Sequence, residues 1–239
     1  MDTPPPFRFK KFVVEQAPGV HPVGTDAVLL GAWAPAPEQG SILDIGCGTG
    51  VVALLLAQRT PAEVQVYGID VHPLSVTLAK RNASATPWRD RLIFREANAA
   101  NWSGEGALYD LVVSNPPYFS ETTWSPDDDR KRARHLSSLR PGQLLEATCR
   151  LLAPEGRLCV ILPPVAAQHF TEAGACLGLY VTRRLDVVTR PGKKTERMLL
   201  VLERTPYLYR RERLILLDGK GNPASGFKRL CGAFYLGWE

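Results

Sequence analysis

The chain has 239 residues, of which 45% are hydrophobic and 22% are charged, and its formal net charge is +5. This is the composition of an ordinary globular protein, so disorder as the main state is excluded. The longest apolar run, residues 51–57, is far shorter than the roughly 18 residues that a membrane span needs. The N-terminus lacks the features of a signal peptide, and we expect a cytoplasmic location and no membrane contact.

Cysteine, histidine and charge usage narrow the class of protein further. Five cysteines and four histidines are scattered without a C-x-x-C pair, which favours neither a disulfide framework nor a metal site. Residues 121–239 carry 20 Lys and Arg against 13 Asp and Glu, whereas residues 1–120 carry 9 against 11. A basic half favours a polyanionic partner such as a nucleic acid, although charge that only maintains solubility explains it as well.

In chain order, a helix is predicted first within VGTDAVLLGAWA, capped by Thr25 or Asp26. Short β-branched or apolar runs then alternate with amphipathic helical patterns. The strands are predicted at 41–45, 64–69, 92–96, 109–113 and 157–162, and the helices at 51–58, 73–84 and 141–152. This alternation indicates a parallel sheet with helices on both faces.

The last two predicted strands, 179–188 and 197–203, are joined by the short link RPGKK. So short a link requires antiparallel pairing. A mostly parallel, seven-stranded sheet that ends in an antiparallel hairpin is similar to the Rossmann-like class I methyltransferase fold, an α/β architecture. Since no linker divides the sequence, we expect a single domain over 1–239, with an N-terminal extension (1–40), a core (41–204) and a C-terminal appendage (205–239).

A glycine-rich loop follows the first sheet strand. Asp44, Gly46, Gly48 and Gly50 form D-x-G-x-G-x-G, and a helix comes next. The dinucleotide fingerprint G-x-G-x-x-G would place glycine where Val51 stands. The loop instead resembles that of S-adenosylmethionine (SAM) enzymes, which predicts SAM as cofactor. The alternative is a turn that only reverses the chain.

Polar residues end the next two strands. Asp70 follows the second strand, where a carboxylate can accept hydrogen bonds from both ribose hydroxyls, or cap the helix that begins at Pro73. Asn98 follows the third strand and can accept a bond from the adenine amine through its amide oxygen, or cap its own loop. We predict that both residues bind the cofactor.

The fourth strand ends in Asn115-Pro116-Pro117-Tyr118-Phe119, the most specific string in the chain. Paired prolines stiffen the turn, and the Asn115 amide oxygen and the Pro116 carbonyl can both accept hydrogens from one exocyclic amine. Tyr118 would stack on a base swung out of its helix or loop, with Phe119 as part of the same wall. We predict catalytic roles for Asn115, Pro116 and Tyr118, with Asn115 also beside the cofactor. The alternative is a rigid turn in an unrelated enzyme.

Together these residues resemble the bacterial tRNA1(Val) adenine-N6 methyltransferases, over nearly the whole chain. The similar blocks are 7–12 (FRFKKF), 23–34 (VGTDAVLLGAWA), 87–88 (PW), 115–118 (NPPY), Arg130, 133–135 (ARH) and 233–236 (AFYL). The resemblance implies SAM-dependent methylation of N6 on the adenine just 3′ of a valine tRNA anticodon. Two positions depart from the family: Asn98 stands where Asp is usual, and Asp70 where Glu is common.

A basic segment follows the Asn-Pro-Pro-Tyr turn. Arg130, Arg132 and Arg134 would lie near the mouth of the site and could hold phosphates of the tRNA. The alternative is a surface loop without a partner. Two rival functions remain open: a protein glutamine-N5 methyltransferase, because a carboxamide nitrogen suits the same turn, and a non-catalytic RNA-binding protein that retains the fold.

Overall fold

The computed structural model describes residues 4–116 and 140–238. A two-stranded antiparallel pair, β1 (Phe7–Arg8) and β2 (Val13–Val14), comes first. Among the described residues, eight further strands form one sheet, and they are β3 (Ser41–Ile45), β4 (Gln65–Asp70), β5 (Leu92–Glu96), β6 (Tyr109–Ser114), β7 (Leu152–Leu162), β8 (Tyr180–Val188), β9 (Thr195–Glu203) and β10 (Arg210–Ile215).

The spatial order of the sheet is β10-β8-β9-β7-β6-β3-β4-β5. Strands β7, β6, β3, β4 and β5 are parallel, and β9 runs antiparallel to both β7 and β8. The predicted fold class and its antiparallel hairpin are therefore confirmed. Seven strands were predicted and the sheet has eight. The additional strand, β10, lies in the predicted C-terminal appendage and pairs in parallel with β8. Its first four residues, Arg210–Arg213, are all exposed, so the sequence shows no alternation there.

Helices cover both faces of the sheet, and their bounds are α1 (Thr25–Trp33), α2 (Val51–Arg59), α3 (Pro73–Ser84), α4 (Pro141–Leu151), α5 (Pro164–Cys176) and α6 (Ser225–Cys231). Buried residues of α1, α2, α3 and α6 share one core on the first face, and those of α4 and α5 share a second core on the other face. None of the helices in the described ranges is long and apolar enough to cross a membrane.

The predicted cap of α1 was wrong. The residue that precedes the helix is Gly24, and no side chain caps it. Thr25 is already the first helical residue, so its hydroxyl is not in the capping position. Asp26 instead forms an ion pair with Arg197 of β9, with 2.8 Å between Oδ2 and Nε, and this pair ties the helix to the sheet.

The two ends of the chain lie together. Phe9 and Tyr235 form an isolated antiparallel bridge, and the N–H of Lys10 donates to the carbonyl of Phe234 at 2.8 Å. The rings of Phe9 and Tyr235 belong to an aromatic cluster with Phe7, Phe12, Trp88, Phe227 and Trp238. The blocks that mark the family resemblance at either end of the sequence thus pack on the same face as α1 and α2.

Two arginines, the exposed Arg59 and the buried Arg91, fix the end of α2, the helix that follows the glycine loop. Arg59 donates to the carbonyls of Gly31 (2.7 Å) and Ala34 (3.0 Å) at the end of α1. Arg91 donates to the carbonyls of Ala57 and Thr60 at the end of α2. Desolvation lowers the pKa of both guanidinium groups, and the carbonyls that accept their hydrogen bonds hold the end of the helix that follows the loop.

Candidate active site

The ends of three neighbouring parallel strands form the site. Ile45 at the end of β3 pairs with Ile69 of β4 on one side and with Ser114 of β6 on the other. The hydroxyl of Ser114, which is buried, donates to the carbonyl of Ile45 at 2.8 Å. The glycine loop, Asp70 and Asn115 therefore come together at the carboxyl edge of the sheet, where α/β sheets bind their ligands.

The three glycines of the loop have different local roles. Gly46, Gly48 and Gly50 all have positive φ (76°, 54° and 80°), a conformation that other residues rarely adopt. A Cβ at Gly50 would lie 3.1 Å from Ala79 and 3.2 Å from Phe94, so this glycine permits close packing. A Cβ at Gly46 or Gly48 would meet no atom of the described residues within 4 Å. These two positions line open space that a ligand can approach closely.

Asp44 places a buried carboxylate under this loop. It is 1% exposed, and its Oδ2 has no hydrogen-bond partner among the described residues, while the backbone of Ala53 bonds to the carboxylate. Burial is the main reason why the pKa of Asp44 is raised to about 7, and the nearby charge of Asp70 adds to the shift. A buried carboxylate oxygen without a partner fits a cationic ligand group, because an unpaired buried acceptor is costly.

Asp70 supports the loop from the end of β4. Its Oδ2 accepts the N–H of Gly48 and its Oδ1 accepts the N–H of His72, each at 2.9 Å. The second bond is made to His72, the residue before α3, and no side chain of the described residues caps this helix, so the alternative in which Asp70 caps α3 was wrong. An ionised carboxylate has about four acceptor sites, and the predicted contact with ribose hydroxyls uses the remaining two.

Asn98 lies exposed after β5. Its Oδ1 accepts the N–H of Ala100 at 3.0 Å, and its carbonyl accepts the N–H of Trp102 at 2.9 Å. The oxygen predicted to bind the cofactor adenine thus also holds its own loop. The contact with adenine stays a prediction, and it requires the second lone pair of this oxygen.

Of the predicted reacting turn, Asn115 and Pro116 are described, and both are half-buried at the end of β6. The other predicted substrate residues lie outside the described residues, and they are Tyr118, Phe119, Arg130, Arg132 and Arg134. The structure therefore brings Asn115 beside the glycine loop and Asp70, as the strand pattern predicts, and the assignment of the reacting amine to this turn stays a prediction.

Sequence reasoning missed Asn82, which joins the N-terminal segment to the loop. This residue of α3 is 1% exposed, and its Nδ2 donates to the carbonyl of Thr49 (2.9 Å) and to that of Glu15 (3.1 Å). Its Oδ1 accepts the N–H of Glu15 at 2.8 Å. The only local signal is its spacing from Val76 and Ala79, at intervals of three, which places an amide on the apolar face of the helix.

Comparisons with known proteins now identify the family. Residues 42–156 match the family model described as "Methyltransferase domain". A curated relative from Tolumonas auensis, named tRNA1(Val) (adenine(37)-N6)-methyltransferase, is 37% identical over 96% of both chains. The chain belongs to the tRNA1(Val) (adenine(37)-N6)-methyltransferase family. A relative of the same name from Yersinia pestis is 36% identical over 97% of this chain and 94% of its own.

Solved structures agree with this methyltransferase at the level of the fold. The Agrobacterium tumefaciens protein Atu636, a predicted O-methyltransferase, is 19% identical, with a TM-score of 0.67 over 87% of this chain and 96% of that one. TrmN from Thermus thermophilus is 21% identical, with a TM-score of 0.55 over 75% of this chain and 48% of that one. Both confirm the Rossmann-like methyltransferase fold.

The methyltransferase uses SAM as its cofactor, and the described residues fit it. Gly46 and Gly48 leave open space at the loop, and SAM carries a cationic ammonium and a sulfonium that suit the unpartnered Oδ2 of Asp44. Asp70 offers carboxylate oxygens at the tip of the next strand. These residues are the ones predicted from the sequence, and their individual contacts with the cofactor stay predictions.

Proposed function

We propose that this methyltransferase modifies N6 of an adenine in tRNA, namely adenine 37 of tRNA1(Val), the base just 3′ of the anticodon. The observation that carries the proposal is the 36–37% identity to relatives of that name along almost the entire chain. The position of Asn115 supports it, because a carboxamide that follows β6 lies next to the glycine loop of the cofactor.

The residues of the turn would act by positioning. Bound SAM supplies a methyl carbon made electrophilic by its positively charged sulfur. The Asn115 amide oxygen and the Pro116 carbonyl would each accept one hydrogen of the adenine amine and so hold its lone pair out of the ring plane. No strong base is needed, because the amine loses its proton to solvent after it has become cationic. Well-oriented reactants can gain about 7–11 kcal/mol of the barrier from positioning.

The remaining parts of the proposal concern substrate and domain organisation. Tyr118 and Phe119 would stack on the extruded base, and Arg130, Arg132 and Arg134 would hold phosphates around it. We propose one domain over 1–239, supported by the bridge between Phe9 and Tyr235 that joins its two ends. A cytoplasmic location, where tRNA is available, follows from the same proposal.

Labelled SAM tests the function directly. Unmodified tRNA1(Val) should take up label, and nucleoside mass spectrometry should show it as N6-methyladenosine. The matched control is the same tRNA with guanosine at position 37, which should take up none. Label that enters a release factor instead would identify a protein glutamine-N5 methyltransferase, and no transfer to any acceptor would identify a non-catalytic RNA-binding protein.

A further inference from the structure

The edge of the sheet opposite the cofactor loop belongs to a segment with a large net positive charge. Residues 180–213, all within the described ranges, contain ten Lys and Arg against four Asp and Glu. Their net charge of +6 exceeds the +5 of the whole chain. This segment comprises β8, β9, β10 and the links between them, and the proposed reaction uses none of its side chains.

A groove of about 760 Å³ lies on this edge, between α5 and the strands. Val165 of α5, Tyr180 and Arg184 of β8, Met198 of β9 and Tyr209 are among its lining residues. Tyr180 is 39% exposed and Tyr209 is 52% exposed. Arg184 and Glu172 are its charged lining residues. We call it the arginine groove, because the strand register places two further arginines on the same face.

The register places several charges on the groove face. Arg211 pairs with Arg184 across the two strands, and Arg213 pairs with Asp186. Paired residues in neighbouring strands point to the same face, and so do residues two apart in one strand. Arg184 lines the groove, so Arg211 and Arg213 share its face, and both are exposed.

A buried carboxylate holds two of these guanidinium groups in place. Asp186 is 3% exposed, and its oxygens contact Arg184 and Arg211 at 2.7 Å each. The carboxylate of Asp186 therefore holds two guanidinium groups, and Arg213 adds a third positive charge to this face. The groove thus combines positioned guanidinium groups with exposed tyrosine rings, which is the combination that binds nucleic-acid backbones and stacks on unpaired bases.

We propose that the arginine groove is a docking surface for the phosphate backbone of the RNA substrate, outside the region that receives the reacting base. The proposal rests on the proposed function. Charge complementarity selects the partner, because RNA is a polyanion and the segment that includes this edge carries more than the whole net charge of the chain. Four strand spacings separate β10 from β6, about 19 Å in all, so an RNA that reaches the site at β6 can also lie across the groove.

The test compares two double variants with equal loss of charge. Arg211→Gln with Arg213→Gln changes the groove, and Arg184 remains as the partner of Asp186. Lys228→Gln with Arg229→Gln removes two exposed charges from α6, on the other face of the sheet. The groove variant should weaken tRNA binding by at least about fivefold and lower the salt slope by roughly 1–2. SAM affinity and kcat at saturating tRNA should not change.

Tyr209→Ala, which leaves the ion pairs intact, should weaken tRNA binding in the same direction, and Tyr209→Phe should restore it. If the groove variant binds tRNA as the α6 control does, while the wild type methylates tRNA, the groove proposal is wrong and the function stands. A wild type that methylates no tRNA would overturn both. Loss of self-association in the groove variant, with tRNA binding intact, would assign the groove to a second copy of the chain and overturn the proposal.

Discussion

The carboxylate of Asp70 accepts the backbone N–H of Gly48 at 2.9 Å, and this bond connects the ends of two neighbouring strands through the cofactor loop. Its other oxygen accepts the N–H of His72. Asp70 therefore shapes the loop before any ligand is present, in addition to its predicted contact with ribose. Support of the loop depends on the length and the charge of the Asp70 side chain. The predicted contact with ribose depends on its charge.

Asp70→Asn should weaken SAM binding by about tenfold or more, because a charged hydrogen bond contributes roughly 1.5–3 kcal/mol and an amide nitrogen would face a backbone donor. Asp70→Glu keeps the charge and should bind SAM more tightly than Asp70→Asn does. Isothermal titration calorimetry of both variants measures this difference. Wild-type affinity in Asp70→Asn would show that the carboxylate does not bind the cofactor.

Asp44 makes stability depend on pH in an unusual direction. Burial raises its pKa to about 7, so between about pH 4 and 7 the folded protein holds a proton that the unfolded chain has lost. Its contribution to the free energy of unfolding should therefore fall as pH rises through this range, by about 1.4 kcal/mol per unit. Asp44→Asn should remove the fall, as denaturant titrations at several pH values would reveal. The control is Asp90→Asn, which changes an exposed carboxylate.

The carboxyl group of Asp44 should also make cofactor binding depend on pH. A cationic ligand favours the charged form of Asp44, so SAM affinity should rise as pH increases from 6 to 8 and binding should release a proton. Calorimetry in buffers of different ionisation enthalpy measures that proton. Equal pH dependence of SAM affinity in Asp44→Asn and the wild type would contradict the assignment of Asp44 to the cofactor.

Local sequence signals predicted the centre of the fold better than its edges. Strands β3 and β5 lie where they were predicted, because the short apolar runs there end at Gly46 and at the charged pair Arg95-Glu96. Strand β7 begins at Leu152, five residues before the predicted start at 157, and crosses Gly156 in the sequence Pro-Glu-Gly that reads as a turn. Helix α5 was not predicted, and β10 was missed because only its pairing with β8 makes it a strand.

The candidate site shows the same division. Glycines and carboxylates at strand ends are visible in the sequence, since parallel strands bring their ends to one edge. The bond that Asn98 makes within its own loop was foreseen only as an alternative, because a cap and a ligand contact use the same atom, and the bond from Gly48 to Asp70 was not foreseen. Asn82 depends on Glu15, 67 residues away, and on Thr49, 33 residues away. Contacts of that range follow from packing and leave no pattern along the chain.

Asn115→Ala should abolish methyl transfer and leave SAM binding largely intact. The alanine lacks the amide oxygen that would hold the substrate amine, and we expect a fall in kcat of at least ~100-fold. The measurement is single-turnover methylation of tRNA, with SAM affinity determined in parallel. Asn115→Asp is the matched control, because it retains one acceptor oxygen and should keep more activity than alanine. Near-normal turnover in Asn115→Ala would show that the amine is held elsewhere.

Asn82 should position the cofactor loop as well as stabilise the fold. Asn82→Ala leaves the carbonyls of Thr49 and Glu15 and the N–H of Glu15 without their partner, and each unsatisfied group costs about 1–3 kcal/mol. Beyond the loss of stability, the KM for SAM should rise by more than kcat falls, because Thr49 lies inside the loop that receives SAM.

The effect of Asn82→Ala on KM can be distinguished from its effect on stability if the kinetics are measured at a temperature where each variant is fully folded. Thr86→Val is a suitable control, since Thr86 is also buried near the end of α3 but its hydroxyl bonds only to neighbouring backbone among the described residues: it donates to the carbonyl of Ala83 and accepts the N–H of Trp88 at 3.3 Å. This control should lose stability and keep its KM for SAM. If Asn82→Ala behaves in the same way, Asn82 serves the fold alone, and the N-terminal segment has no influence on how the loop binds SAM.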